Sequence, residues 1–214
     1  MPEATRAKTF DTHPDNFALA ESPLALSYNR VGRPEVRDEA GVTIHERPLL
    51  GHLVLRGGAI DLDGALRHVL NLSLPGQPLS LTQDSTGSYS AQWLSPDEWL
   101  LIVPGGEEFA IENQLRERLA DEHFAITNVS GGQTLLELRG KEVRNLLKKS
   151  VVYDVDDQSF PAGKGVMTVF AKTTVILRRP AEDVWQLVVR RSFADYSYRW
   201  LLDAGHEYHL TVRA

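Results

Sequence analysis

The chain has 214 residues, a formal net charge of −6, 42% hydrophobic and 24% charged residues, and no cysteine. This globular composition excludes a wholly disordered chain, and the length suits one large domain or two small ones. The lack of cysteine excludes disulfide scaffolds, thiol catalysis and thiolate metal sites, and the acidic balance argues against nucleic acid as a partner.

The first 47 residues are predicted to form an extended N-terminal arm. Residues 1–20 are polar and aperiodic, and prolines and glycines interrupt residues 21–47. So long a stretch without clear elements is unusual in a compact domain and indicates an arm that orders on a partner. The start of the chain lacks the apolar core of a secretory signal, and no apolar run approaches the roughly 18 residues of a membrane span. We therefore expect a cytoplasmic protein without a membrane partner.

A first α+β unit is predicted over residues 48–130. Apolar residues alternate in some segments and recur at helical spacing in others. These patterns indicate a strand, a helix, two strands, a helix and a strand, over residues 49–57, 61–70, 88–94, 99–104, 105–122 and 124–130.

A second unit of the same kind is predicted over residues 131–214. Its pattern indicates a strand, a helix, three strands, a helix and a last strand, over residues 134–140, 141–150, 165–171, 173–179, 184–190, 192–204 and 207–212. Three residue pairs at matching points of the two units are 83, 84 and 86 residues apart: Arg56 with Arg139, Pro96 with Pro180, and Trp99 with Trp185. Chance recurrence of a common motif is the alternative explanation. We predict an α+β fold of two duplicated split-βαβ-like units, each a sheet with helices on one face.

Motifs that would carry catalysis or bind a metal are weak in this chain. His206 and His209 are three residues apart in a predicted strand, so they would point to opposite faces. The glycine pairs at residues 57–58, 105–106 and 131–132 do not extend into a dinucleotide fingerprint or a phosphate-binding loop. We predict no catalytic, cofactor-binding or metal-binding residue in this chain.

Arginines and aromatic residues suggest a protein interface instead. The doublets Arg178-Arg179 and Arg190-Arg191 flank one predicted strand pair, and the densest aromatic stretch of the chain follows at residues 193–200. Arginine and aromatic residues are enriched at interfaces, although surface charge and core packing are the alternative explanations. With apolar residues of the arm added, the predicted interface consists of Phe10, Phe17, Leu24, Tyr28, Arg190, Arg191, Phe193, Tyr196 and Trp200.

Several segments, taken in order, resemble one protein family. Over residues 22–205 the chain is similar to the gamma subunit of bacterial heterotetrameric sarcosine oxidase. The segments that carry the resemblance are SPLAL (22–26), GVTIHERPLLGHLVLRG (41–57), LSPDEWLLIVPGG (94–106), NVSGGQTLLELRG (128–140), FPAGKG (160–165) and VRRSFADYSYRWLLDAG (189–205).

The resemblance implies assembly with larger alpha and beta subunits and a small delta subunit. Such a complex oxidises sarcosine to glycine, reduces oxygen to hydrogen peroxide and passes the one-carbon unit to tetrahydrofolate. The resemblance further implies that FAD, FMN, NAD, zinc and tetrahydrofolate are bound by the partner subunits and that none is bound by this chain.

The resemblance also implies a fold similar to the folate-binding fold of aminomethyltransferases, built of two α+β halves. Asn128 and Gly131-Gly132 depart from the more acidic form of this loop in the family, so no folate contact is assigned to them. The expected role is that of a non-catalytic structural subunit. The alternative is a free-standing folate-binding or aminomethyl-transfer protein.

Overall fold

Helices and strands follow one another in nearly the predicted order. The computed structural model describes residues 20–34 and 40–213. Within those ranges the elements are α1 (Ala25–Val31), β1 (Thr43–Arg47), β2 (Gly51–Gly57), α2 (Ala59–Leu70), β3 (Leu81–Gln83), β4 (Ser90–Ser95), β5 (Glu98–Val103), α3 (Glu108–Leu119), β6 (Phe124–Asn128), β7 (Gln133–Arg139), α4 (Val143–Ser150), β8 (Lys164–Phe170), β9 (Thr173–Ala181), β10 (Val184–Arg190), α5 (Ala194–Ala204) and β11 (Thr211–Arg213).

The first unit forms a five-stranded sheet that carries two helices on one face. Its strand order is β3-β4-β5-β2-β6, and all of its pairings are antiparallel. Helices α2 and α3 bury an apolar stripe because their leucines recur at helical spacing. Leu66 and Leu115 of these helices belong to one core cluster with Leu55 and Leu101 of the sheet.

The second unit forms a six-stranded sheet in the order β11-β1-β7-β10-β9-β8. Its pairings are antiparallel except for that between β1 and β11, which is parallel. Helices α4 and α5 cover one face of this sheet. Leu146 and Tyr198 of these helices belong to one core cluster with Leu138, Phe160 and Trp185.

The two sheets pack against each other through their remaining faces. The molecule therefore has four layers in the order helix, sheet, sheet, helix. At one corner the sheets are also joined by backbone hydrogen bonds between residues 79–81 and 163–165. The apolar centre of the contact between the sheets is formed by Leu100, Ile102, Leu135, Ile176 and Val188.

The predicted duplication of the two units is confirmed by their strand pairing. Both units have the element order strand, helix, three strands, helix, strand. Trp99 lies opposite Leu55 in the first sheet, and Trp185 lies opposite Leu138 in the second. Leu55 and Leu138 directly precede Arg56 and Arg139, the two arginines that lie 83 residues apart in the sequence. The strand registers in the two sheets are therefore equivalent.

An ion pair at the end of each unit's first strand repeats as well. Arg56 Nε lies 3.0 Å from Asp97 Oδ2, and Arg139 Nη1 lies 3.8 Å from Asp183 Oδ2. Asp97 lies in the turn between β4 and β5, and Asp183 lies in the turn between β9 and β10. The arginine hydrogen bond holds the pKa of the Asp97 carboxyl below its usual range. All four side chains are largely exposed, so these pairs add little stability.

The largest correction concerns the C-terminal end of the predicted arm. Residues 43–47, predicted to be irregular, form β1, which is inserted between β7 and β11 in the second sheet. Residues 25–31 form α1. The sequence pattern missed β1 because the strand is short and its partners lie about 90 or more residues away.

Three smaller features also differ from the prediction. The first unit contains an additional three-residue strand, β3, which is too short to show a period. Pro180 lies within β9 rather than in a turn, beside a register shift where its missing N–H breaks no ladder bond. The last strand begins at Thr211, because residues 206–208 form a 3₁₀ turn.

Candidate partner interface

The segment around α1 packs onto the second unit of the same chain. Leu24 is 0% exposed and belongs to the core cluster of the six-stranded sheet. The ring of Tyr28 meets that of Tyr198 edge to face, with centroids 5.3 Å apart. Tyr198 Oη donates a hydrogen bond of 2.8 Å to the Gly32 carbonyl, and burial raises the pKa of Tyr198 to about 12. Leu24 and Tyr28 therefore pack into this chain's own core.

A buried carboxylate ties the same segment to the sheet. Glu46 of β1 is 4% exposed and accepts hydrogen bonds from three hydroxyl groups. The donors are Ser22 Oγ, Tyr28 Oη at 3.2 Å and Thr134 Oγ1 at 2.9 Å. Burial first, and Glu46 second, raise the pKa of the Tyr28 hydroxyl, which therefore remains a donor. Three donors compensate for the loss of hydration around the carboxylate.

The predicted interface residues of the arm fall into two groups. Phe10 and Phe17 lie outside the described residues. The assignment of Leu24 to an interface is corrected, because this side chain has no surface left for a partner. Tyr28 is half-buried and makes the intramolecular contacts given above.

The predicted residues near α5 remain at the surface to different degrees. Arg190 and Arg191 are exposed, and Phe193 is 41% exposed. Tyr196 is half-buried. Trp200 is also half-buried, packs against the core and donates from Nε1 to Ser150 Oγ at 3.1 Å. Arginines 190 and 191 and Phe193 are thus the part of the prediction that is accessible to a partner.

A groove runs between the start of α1 and the end of β10. Its volume is about 570 Å³. Arg191 Nη2 donates to the Glu21 carbonyl across it at 3.3 Å, and the Arg191 N–H donates to the Gly132 carbonyl at 2.8 Å. Leu26 lines the groove and is 59% exposed.

Two further exposed apolar residues lie on β8. Met167 is 65% exposed and Val169 is 40% exposed. Val166 and Phe170 on one face of β8 pack into the core. Met167 and Val169 lie on the opposite face, so the strand is apolar on both faces, and this pattern is visible in the sequence. A strand that is apolar on both faces normally has both faces covered.

The doublet Arg178-Arg179 lies in the interior of the protein, so its interpretation as surface charge is wrong. Arg178 is 1% exposed and Arg179 is 5% exposed. Arg179 Nη1 donates to Asp157 Oδ1 at 2.6 Å and to the Phe160 carbonyl at 2.7 Å, and its guanidinium lies 5.0 Å from the centre of the Trp185 ring. Consecutive strand residues point to opposite faces, so Arg178 faces the other sheet instead.

Arg178 belongs to a polar cluster that is sealed between the sheets. Its Nη2 donates to Ser90 Oγ at 2.9 Å, and burial lowers its pKa to about 10, so it stays charged at neutral pH. His52 and Gln92 are 0% exposed. Burial lowers the pKa of His52 to about 4, and the Arg178 charge acts in the same direction. These groups have no access to a dissolved substrate in this conformation.

Metal-binding clusters and membrane-spanning helices are both lacking in the part of the chain that the structure describes. Across residues 20–34 and 40–213, no group of three or more histidine, aspartate or glutamate side chains is placed to hold a metal ion. In the same ranges no helix is both long and apolar enough to cross a membrane.

Sequence comparison relates this chain to known proteins along most of its length. A match to the sarcosine oxidase gamma subunit family spans residues 56–207. The chain is 30% identical over 200 residues to sarcosine oxidase subunit gamma of Corynebacterium sp. (strain U-96), covering 92% of this chain and 96% of that protein. It is 31% identical over 144 residues to sarcosine oxidase subunit gamma of Arthrobacter sp., covering 67% and 70% of the two chains.

Solved structures agree with this relation. A chain of heterotetrameric sarcosine oxidase from Corynebacterium sp. U-96, in complex with pyrrole 2-carboxylate, superimposes with a TM-score of 0.79 at 27% identity. The superposition covers 92% of this chain and all of that one. Glycine cleavage system aminomethyltransferase T from Bartonella henselae gives a TM-score of 0.66 at 11% identity, covering 91% of this chain and 59% of that one. The second likeness shows that the predicted aminomethyltransferase-like fold is correct.

Proposed function

This chain belongs to the sarcosine oxidase gamma subunit family, and on that premise we propose that it is a non-catalytic structural subunit of a heterotetrameric, flavin-dependent sarcosine oxidase in the cytoplasm. The observation that carries the proposal is the nearly end-to-end alignment with a curated gamma subunit. The fold supports it, because a chain of a heterotetrameric sarcosine oxidase superimposes over its whole length.

The structural role is supported by where the polar side chains lie. Arg178, His52 and Gln92 are sealed between the sheets, and Arg179 is held by backbone carbonyls and Asp157. Glu46 is occupied by three hydroxyl donors from this chain. Side chains enclosed or bound in this way are not free to contact a substrate.

The proposed complex carries its chemistry on the other chains. Alpha, beta and delta subunits would bind FAD, FMN, NAD, zinc and tetrahydrofolate. Together they would oxidise sarcosine to glycine, reduce oxygen to hydrogen peroxide and transfer the one-carbon unit to tetrahydrofolate. This chain would contribute the surface that holds the subunits together.

The fold shared with an aminomethyltransferase raises the question of a folate site on this chain. A pterin needs a largely enclosed slot with a few well-placed polar groups. The groove beside α1 is lined by Glu21 and Arg191, but both side chains are exposed. At the end of β6, Asn128 Oδ1 already accepts a hydrogen bond from the Ser130 N–H of the following loop at 3.0 Å. Neither this groove nor this loop forms an enclosed slot for a pterin, so the proposed role assigns no folate chemistry to this chain.

A free-standing folate-binding or aminomethyl-transfer protein is the second candidate. The likeness to the fold of aminomethyltransferase T is the observation in its favour. Titration of the purified chain with tetrahydrofolate, followed by tryptophan fluorescence, separates the two candidates. Saturable binding near one equivalent would favour the second candidate, and an unchanged spectrum favours the structural subunit.

The isolated chain is expected to be colourless and inactive. It should purify without bound flavin and should not oxidise sarcosine, because the proposal places the flavins on other subunits. Absorption spectroscopy and an oxygen-electrode assay with sarcosine check both statements. A stoichiometric flavin spectrum on the purified chain would show the proposal to be wrong.

Native mass spectrometry of the complex isolated from the chain's own host tests the assembly directly. The expected result is one particle that contains this chain and three different partners. A chain that is recovered alone, or with an unrelated oxidase, would contradict the proposed subunit role.

A further inference from the structure

The inner face of the six-stranded sheet extends beyond the five-stranded sheet that covers it. One row of facing side chains crosses four strands through Leu135, Val188, Ile176 and Met167. The first three are 3%, 3% and 7% exposed, whereas Met167 is 65% exposed. The five-stranded sheet therefore covers the inner face of the six-stranded sheet as far as β9 and leaves Met167 on β8 exposed.

The next row toward the end of the sheet is uncovered as well. Gln133 lies opposite Arg190, and Val169 lies opposite Thr174. Arg190 and Thr174 are exposed, and Val169 is 40% exposed. The side-chain oxygen Oε1 of Gln133 is buried and has no hydrogen-bond partner among the described residues. An acceptor without a donor is costly unless a further group supplies one.

A small cavity opens where the two sheets separate. Its volume is about 100 Å³. An apolar cavity of about 150 Å³ accepts a benzene ring and stays free of water, so the smaller space suits one aliphatic side chain. The apolar side chains that line it are Val54, Leu94 and Leu100 from the first sheet and Met167, Val175, Ile176 and Val188 from the second.

One basic side chain borders this cavity, although the chain as a whole carries a net charge of −6. Arg190, which ends β10, lines the cavity and is exposed. It forms no ion pair within residues 20–34 and 40–213. A cation that has no ion pair among the described residues, beside an apolar opening, matches a partner surface that combines an apolar residue with a carboxylate.

We propose that the surface formed by Gln133, Met167, Val169, Thr174 and Arg190, here called the β8–β10 surface, binds a partner subunit of the same complex. A segment of that subunit inserts one aliphatic side chain into the cavity and places a carboxylate beside Arg190. The proposal rests on the proposed function and adds the location and chemistry of one contact. A second copy of this chain fits less well, because a two-fold contact through this surface would bring Arg190 of each copy into the same contact without a carboxylate between them.

Charge substitutions within and outside the β8–β10 surface test the proposal. Met167→Glu and Arg190→Glu alter the surface. Ile60→Glu, at a residue 87% exposed on α2, and Arg118→Glu, at an exposed position on α3, are the matched controls. Each variant is co-expressed with the other subunits, and the dilution at which the complex dissociates is measured by mass photometry. We expect at least a tenfold weaker complex for the two surface variants and unchanged complexes for both controls.

A photocrosslinking residue at position 167 identifies the occupant, with position 60 as the control. Cross-linking to another subunit supports the proposal, while cross-linking to a second copy or to this chain's own N-terminal residues overturns it. If all four variants assemble as the wild type does, the β8–β10 surface is not an interface, although the subunit role stands. If the wild-type chain fails to assemble with the other subunits, the proposed function is wrong and this contact is wrong with it.

Discussion

Removal of residues 1–31 is expected to destabilise the isolated chain strongly, because Leu24 and Tyr28 pack into the core of the second unit. The deletion removes Leu24, which is 0% exposed, and two of the three hydroxyl donors to buried Glu46. Loss of a buried leucine costs roughly 2–5 kcal/mol, and an undersatisfied buried polar group costs about 1–3 kcal/mol more. The free energy of unfolding should therefore fall by about 4 kcal/mol or more, as measured by urea titration.

Two comparisons separate this effect from the role of the arm in assembly. Leu24→Ala should lower the free energy of unfolding by about 3 kcal/mol, while Leu26→Ala, at a residue 59% exposed, should change it by less than about 0.5 kcal/mol. Deletion of residues 1–19 should weaken assembly with the partners. Equal midpoints for the two leucine variants would show that Leu24 does not stabilise the core. Undiminished assembly after the shorter deletion would exclude Phe10 and Phe17 from the interface.

Acidification is expected to destabilise the chain through His52. This side chain is fully buried between the sheets, and its pKa is lowered from 6.5 to about 4. The folded state favours the neutral form of His52. Its contribution to the free energy of unfolding is therefore complete above pH 6.5 and is lost as the pH falls toward 4. At about 1.4 kcal/mol per pKa unit, the loss by pH 4 is on the order of 3 kcal/mol.

Substitution of His52 isolates this contribution from that of the titrating carboxylates. His52→Gln keeps a hydrogen-bonding side chain that does not titrate, and His123→Gln, at an exposed position, is the control. Between pH 7 and pH 4, the first variant should lose about 3 kcal/mol less stability than the wild type, and the second should follow the wild type. Parallel pH profiles for His52→Gln and the wild type would show that His52 does not destabilise the fold at low pH.

Which of the predicted interface residues are exposed could be predicted only in part, since burial separates residues that look alike in the sequence. Arg178-Arg179 and Arg190-Arg191 are both doublets at strand ends, yet the first is buried and the second is exposed. Leu24 and Leu26 are both leucines of one short segment, yet Leu24 is fully buried and Leu26 is 59% exposed. Residue type alone does not reveal which surface another element will cover.

The sequence by itself determined the two α+β units through local patterns, their duplication through matched spacings, and the family through the resemblance of several segments. Alternation and helical spacing are properties of neighbouring residues, and the matching positions of Trp99 and Trp185 are visible as a spacing. The tertiary structure alone decided that β1 enters the second sheet, that Leu24 and Tyr28 pack into its core and that Met167 lies beyond the cover of the first sheet. Each of these outcomes depends on contacts between residues far apart in the chain, and their free energies exceed the weak local preferences of short segments.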